Sequence, residues 1–273
     1  MPDNRGRLKT LVGMNEMARA GDLGKALVAE ALGTLFITYF GCMSCLAVPP
    51  SAEPADLVLI SLTFGFVVMV AVQALGHVSG ANLNPAVTCG LLVTGRITII
   101  RGVLYVIAQS LGAIAGAAIL KGLTPENAIA SLGATTIHPT LSIQQALGVE
   151  FMLGFILVFV VFGVIDPNKP DSKIPASLAI GLAVAVGHLS SVDFTGSSMN
   201  PARSLGPAVI MNIWANHWVY WLGPCTGGIA AALLYKLVLS APPQEYSQVP
   251  RDNSTEVSIR GLAETNLNGA SGA

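Results

Sequence analysis

Long stretches of this chain contain no Asp, Glu, Lys or Arg, among them residues 57–95, 102–120, 174–192 and 204–235. About 20 mostly apolar residues are enough to carry a helix across a bilayer core, so each stretch can hold a span, and the first and last can hold more than one segment. The apolar pattern predicts six full spans, at roughly 25–48, 57–75, 98–120, 143–165, 174–191 and 216–239. Two apolar segments remain, 84–95 and 200–211, too short to cross. Residues 76–83 read as a loop before the first of them. Residues 1–23 are polar and basic, and residues 241–273 are rich in Pro, Ser, Asn and charge, a composition that predicts disorder.

Both short segments open on the same tripeptide, Asn84-Pro85-Ala86 and Asn200-Pro201-Ala202. Asn is a preferred helix N-cap, and Pro at the next position loses only an N–H that had no partner anyway. A helix that starts at membrane depth is a broken helix, tolerated where it is buried in protein or lines a watery cavity. The chain also repeats. Glu30 and Glu150 lie 120 residues apart, the two Asn-Pro-Ala copies 116 apart, and Gly76-His77 and Gly187-His188 111 apart, which predicts a second loop five residues longer than the first. Three spans per repeat is an odd number, so the second copy must be inverted, with a site at the bilayer midplane. The predicted fold is an all-α membrane protein: six transmembrane helices plus two re-entrant half-helices in an inverted repeat, with repeats at about 25–120 and 143–240 of a channel domain spanning 24–240.

Composition agrees with that class. Hydrophobic residues make up 52% of the chain and charged residues 11%, against about a quarter charged in soluble domains. The net charge of −1 gives no electrostatic case for nucleic acid. Arg5, Arg7, Lys9, Arg19, Lys25, Arg96, Arg101, Lys169, Lys173, Lys236, Arg251 and Arg260 all fall on one side of a six-span topology, leaving Lys121 and Arg203 for the other. That bias predicts both termini in the cytoplasm. Cys42, Cys45, Cys89 and Cys225 lie in or beside apolar segments and read as small core residues. No ligand spacing calls for a metal, and no nucleophile–base pair or cofactor motif points to an enzyme.

The half-helix N-termini each carry about half a positive charge and unpaired N–H groups, to which Asn84 and Asn200 add amide donors. Facing each other, they disfavour cations and offer hydrogen bonds to a neutral solute. Arg203 follows the second motif, where Val87 follows the first. A charge this deep is by default functional. Glu30 and Glu150 read as scaffold carboxylates that accept hydrogen bonds from the irregular loops.

The paired motifs, the run Gly76-His77-Val78-Ser79-Gly80-Ala81-Asn82-Leu83-Asn84-Pro85-Ala86-Val87-Thr88 and the run Asn200-Pro201-Ala202-Arg203-Ser204 resemble the aquaporin (major intrinsic protein) family over about residues 24–240. The resemblance implies a constriction formed by Phe64, His188, Ser197 and Arg203. It also implies a passive water channel, with small neutral solutes such as glycerol or urea as the alternative permeants. His188, Ser204, Ala208, Tyr220 and Trp221 are similar to the water-selective branch. His77 resembles a cytoplasmic-mouth histidine, read either as a pH gate or as a loop brace. A homotetramer in the plasma membrane is implied as well, with no cofactor.

Overall fold

In a computed structural model the described residues are 11–17, 20–48, 56–168 and 175–240. The tail beyond residue 240, and the joints at 49–55 and 169–174 with Lys169 and Lys173, lie outside them. Besides the one-turn helices Met14–Met17 and Glu126–Ala128, eight longer helices follow in order: α1 (Ala20–Met43), α2 (Leu57–Ser79), α3 (Pro85–Val93), α4 (Ile99–Leu123), α5 (Ile143–Val164), α6 (Ala176–Thr195), α7 (Pro201–Met211) and α8 (Val219–Leu234), the last continued by a π-helical turn, Tyr235–Leu239. Six helices are long and apolar enough to cross a membrane. α3 and α7 are the two half-helices.

Polar caps start several of the helices. Asp56 accepts from the N–H groups of Val58 and Leu59, Thr98 from Arg101, and Ser142 forms a capping box with Gln145. A short turn, Met14–Met17, is tied to the start of α4 by Glu16, which pairs with Arg101 at 2.8 Å and accepts from Thr98 at 3.0 Å.

The packing has an internal two-fold. α1 packs on α4 and α2 as α5 packs on α8 and α6. Each half-helix lies on the last helix of the other repeat, α3 on α8 and α7 on α4. The two repeats meet at α2 and α6, where Gly65 and Gly181 face each other reciprocally: a Cβ on either would come within 2.7 Å or 2.6 Å of the other's carbonyl oxygen. Close crossings recur within each repeat. A Cβ at Gly112 would overlap the carbonyl of Ala31, and one at Gly227 that of Phe151. Small residues let helix backbones approach where hydrophobic sorting cannot select partners. Gly112, Ala113 and Gly116 are therefore buried inside the chain.

Several boundaries differ from the pattern reading. α1 starts and stops five residues earlier than 25–48, because Gly21 to Gly24 continue the helix and Cys45 turns back to the Cys42 carbonyl. α2 runs through Gly76 and His77 to Ser79, and α6 through to Thr195. The stops are Gly80 (φ 86°) and Gly196 (φ 76°), left-handed caps whose N–H groups bond to the carbonyls of Gly76 and Val192. These two glycines are separated by the same 116 residues as Asn84 and Asn200, so the two loops are equal in length and the expected five-residue excess is absent. Gly187-His188 is interior to α6 and is not the counterpart of Gly76-His77.

Candidate functional site

Two short loops, 80–84 and 196–200, lead into the half-helices. They share one backbone pattern: after the glycine, Ala81 and Leu83 have φ of 46° and 51°, and Ser197 and Met199 have 49° and 54°. Left-handed conformations at non-glycine residues cost energy and persist only where surroundings enforce them. Here two buried carboxylates do so. Glu30 accepts from Ser79 Oγ (2.7 Å), Asn82 N (2.9 Å), Leu83 N (2.7 Å) and Gln109 Nε2 (2.7 Å). Glu150 accepts from Thr195 Oγ1 (2.6 Å), Ser198 N (2.9 Å) and Met199 N (3.1 Å). Each carboxylate thereby satisfies loop donors that have no helix to join.

The loops deliver the two asparagines to one point. Asn84 Oδ1 caps α3 through Ala86 N, and Asn200 Oδ1 caps α7 through Ala202 N and Arg203 N. Their amide nitrogens cross over: Asn84 Nδ2 donates to Met199 O (2.9 Å) and Asn200 Nδ2 to Leu83 O (2.8 Å). Pro85 and Pro201 occupy the first helical positions, and Ala86 and Ala202 are fully buried behind them. Each amide spends one N–H on this exchange and keeps a second.

Phe64 from α2, His188 from α6 and Arg203 from α7 converge nearby. The Phe64 and His188 rings stack at 4.2 Å, and the Arg203 guanidinium carbon lies 4.7 Å from the Phe64 centroid. Arg203 Nη1 donates to Gly133 O at 2.8 Å. His188 Nδ1 lies 3.0 Å from Val184 O, which makes Nδ1 the protonated nitrogen and leaves Nε2 an acceptor. His188 Nε2, Arg203 Nε and Ser197 Oγ are buried and have no protein hydrogen-bond partner. A cavity of about 430 Å³ reaches from Gln73 and Pro175 past the two asparagines to this cluster, and a second of about 290 Å³, lined by His138 and Asp193 among others, lies beyond it. Arg203 lines both.

His77 is exposed in the last turn of α2 and lines neither cavity. Of the cysteines, Cys42 is buried, whereas Cys45, Cys89 and Cys225 are half-buried, so the all-core reading holds for one of four. Three contacts lie outside the expectations drawn from the sequence: the Gly133 carbonyl under Arg203, Gln109 on Glu30, and a hydroxyl chain from Thr135 through Ser204 to Ser198. Of these, Gln109 alone was findable, as an amide in an otherwise apolar span.

Comparison with known proteins agrees with this architecture. The profile of the family Major intrinsic protein matches residues 17–235. Aquaporin-4 of Mus musculus is 47% identical over 216 residues, covering 78% of this chain and 67% of that protein. Aquaporin-5 of Sus scrofa is 46% identical over 216 residues, covering 79% and 81%. The lens fiber major intrinsic protein of Lithobates pipiens is 42% identical over 221 residues, covering 81% and 83%. Among solved structures, the X-ray structure of the aquaglyceroporin from Plasmodium falciparum superposes with a TM-score of 0.70 at 24% identity, over 79% of this chain and 96% of that one, a likeness of fold. An integral membrane protein with two half-helices meeting in an inverted repeat, this chain belongs to the major intrinsic protein family, the aquaporins.

Proposed function

We propose that this chain is a passive water channel, driven by an osmotic gradient and closed to protons, ions and glycerol. The observation that carries this reading is the cluster of Phe64, His188 and Arg203 between two cavities. A water molecule there donates to His188 Nε2 and accepts from Arg203 Nε, while the Phe64 ring fills width without offering a partner. Ser197, the fourth residue of the expected constriction, is buried beside the throat and lines neither cavity. A glycerol stem would need the space that the stacked rings occupy. A cation meets the Arg203 charge and then two half-helix N-termini, each of about half a positive charge, the arrangement known for aquaporin-type pores. The second amide N–H of Asn84 and of Asn200 is the donor for water at that waist.

The one-sided excess of basic residues supports a cytoplasmic location for both termini, with the throat opening outward. The apolar outer surface, with Phe36, Phe40, Phe66 and Leu111 exposed, suits lipid or further copies of the chain. A homotetramer with one pore per subunit, in the plasma membrane, is the assembly we assign on family grounds.

Stopped-flow light scattering of proteoliposomes tests the reading. Rapid shrinkage in a sucrose gradient, with no re-swelling in a glycerol gradient, is the expected result. Glycerol entry in the unmutated protein would overturn the selectivity. His188→Gly removes one of the two stacked rings, and its expected effect is glycerol entry at least tenfold above the unmutated protein with water flow retained. A glycerol-tight variant would move the constriction elsewhere.

A further inference from the structure

Cys89 on α3 and Cys225 on α8 face each other with Sγ atoms 3.9 Å apart. Both are half-buried, and neither lines either cavity. They sit where the two helices cross tightly: a Cβ at Gly228 would lie 2.8 Å from the Ala86 carbonyl, and one at Gly90 3.2 Å from the Ala232 Cβ. The two thiols are thus presented by rigid elements on the flank of the protein, away from the pore.

We propose that Cys89 and Cys225 form a dithiol site for a soft, two-coordinate metal cation of the copper(I) or mercury(II) kind. Thiolates select soft cations, and the ligand number selects among them. Structural zinc takes four ligands, and among the described residues no group of three His, Cys, Asp or Glu side chains could hold a metal. Two sulfurs, with no His, Cys, Asp or Glu grouped with them as a third donor among the described residues, suit a linear S–metal–S unit. Two bonds of about 2.3 Å in line span about 4.6 Å, so the sulfurs need to separate by less than an ångström from their present positions. Rotation about the two Cα–Cβ bonds supplies that movement. Two small apolar side chains would fill the crossing equally well; the pair adds two soft donors at chelating distance. With mercury(II) chloride as the probe, two S–H bonds break, two Hg–S bonds form, and two chlorides and two protons leave. Nothing is oxidised.

The test uses the full-length chain carrying Cys42→Ala and Cys45→Ala, which leaves only these two thiols. Titration with mercury(II) is expected to stop at one ion per chain. Maleimide should then label neither cysteine, and X-ray absorption should show two sulfur neighbours. Zinc(II) at the same concentration should leave both thiols open to maleimide. Cys89→Ser or Cys225→Ser should release mercury to glutathione at least tenfold faster than the two-thiol protein. Two mercury ions per chain, or one thiol still labelled after one equivalent, overturns the site. If the background variant does not fold, labelling read peptide by peptide by mass spectrometry in the unmutated chain gives the same answer. Water flow is a separate readout, so failure here leaves the channel reading intact.

Discussion

Arg203 and His188 are each fixed at one nitrogen and open at another. Gly133 O holds Arg203 Nη1 and Val184 O orients His188 Nδ1, so the free Nε and Nε2 are aimed by bonds made outside the throat. A backbone carbonyl leaves no trace in residue type, which is why Gly133 was invisible in the sequence while the buried Arg was plain. A second histidine supports a pH prediction. His217 stands before α8, where Trp221 Nε1 donates to its Nε2 at 3.3 Å and Trp214 packs edge-on at 5.3 Å. Burial lowers its pKa below the ordinary value of about 6.5. Between the lowered and the ordinary value the unfolded chain binds more protons than the folded one, so stability rises with pH across that window. It is fully present above about pH 6.5 and is lost as pH falls through the folded value. Thermal unfolding in detergent from pH 8 to pH 5 should show a falling midpoint. In His217→Gln, whose side-chain carbonyl accepts from Trp221 without titrating, that fall should shrink. An equal fall in both would clear His217.

At the scale of elements, the half-helices were legible because Asn-Pro is a start signal wherever it stands. The ends of α2 and α6 were not. Gly76 looked like a breaker and the fifth span was expected to end near residue 191, yet glycine is common inside membrane helices, and the true stops are set by left-handed φ at Gly80 and Gly196. Which glycine takes that conformation depends on Glu30 and Glu150 gathering the following N–H groups, a contact between distant elements. Glycines inside spans have a different purpose at the α1–α4 crossing. Gly112→Leu would force a side chain into the Ala31 carbonyl, so α1 and α4 must part and carry Glu30 away from Gln109. Overpacking of this kind costs about 1–3 kcal/mol and more where backbone is the obstacle. The expected outcome is a lower thermal midpoint and lower water flow per protein. Gly122→Leu, at a position where a Cβ meets nothing within 4 Å, should change neither. Equal behaviour of the two variants would show that the crossing tolerates separation.

The described helices are two copies of one design, and the selectivity we propose lies where the copies differ. Shifting by the 116 residues that relate Asn84 to Asn200 carries Phe64 to Ile180, Val72 to His188, Ala81 to Ser197 and Val87 to Arg203. Val72, Ala81, Val87 and Ile180 all line the large cavity, so the inner half of the pore holds an apolar image of the throat. The helix N-termini at the centre are shared by both copies; the guanidinium belongs to one. Replacing Arg203 by the residue of its counterpart, Arg203→Val, separates the two contributions to the ion exclusion we propose. Two unit charges 5 Å apart repel by about 3 kcal/mol at an effective dielectric constant near 20, a factor on the order of 100 in the rate at which a cation passes. The asparagine exchange and both caps on α7 survive the substitution, since Arg203 contributes only its backbone N–H to them. In oocytes under voltage clamp, Arg203→Val should therefore show a cation conductance absent from the unmutated protein while osmotic swelling persists. Swelling without conductance would assign exclusion to the paired half-helices alone, and loss of both would mean that the bond from Arg203 to Gly133 is needed to keep the pore open.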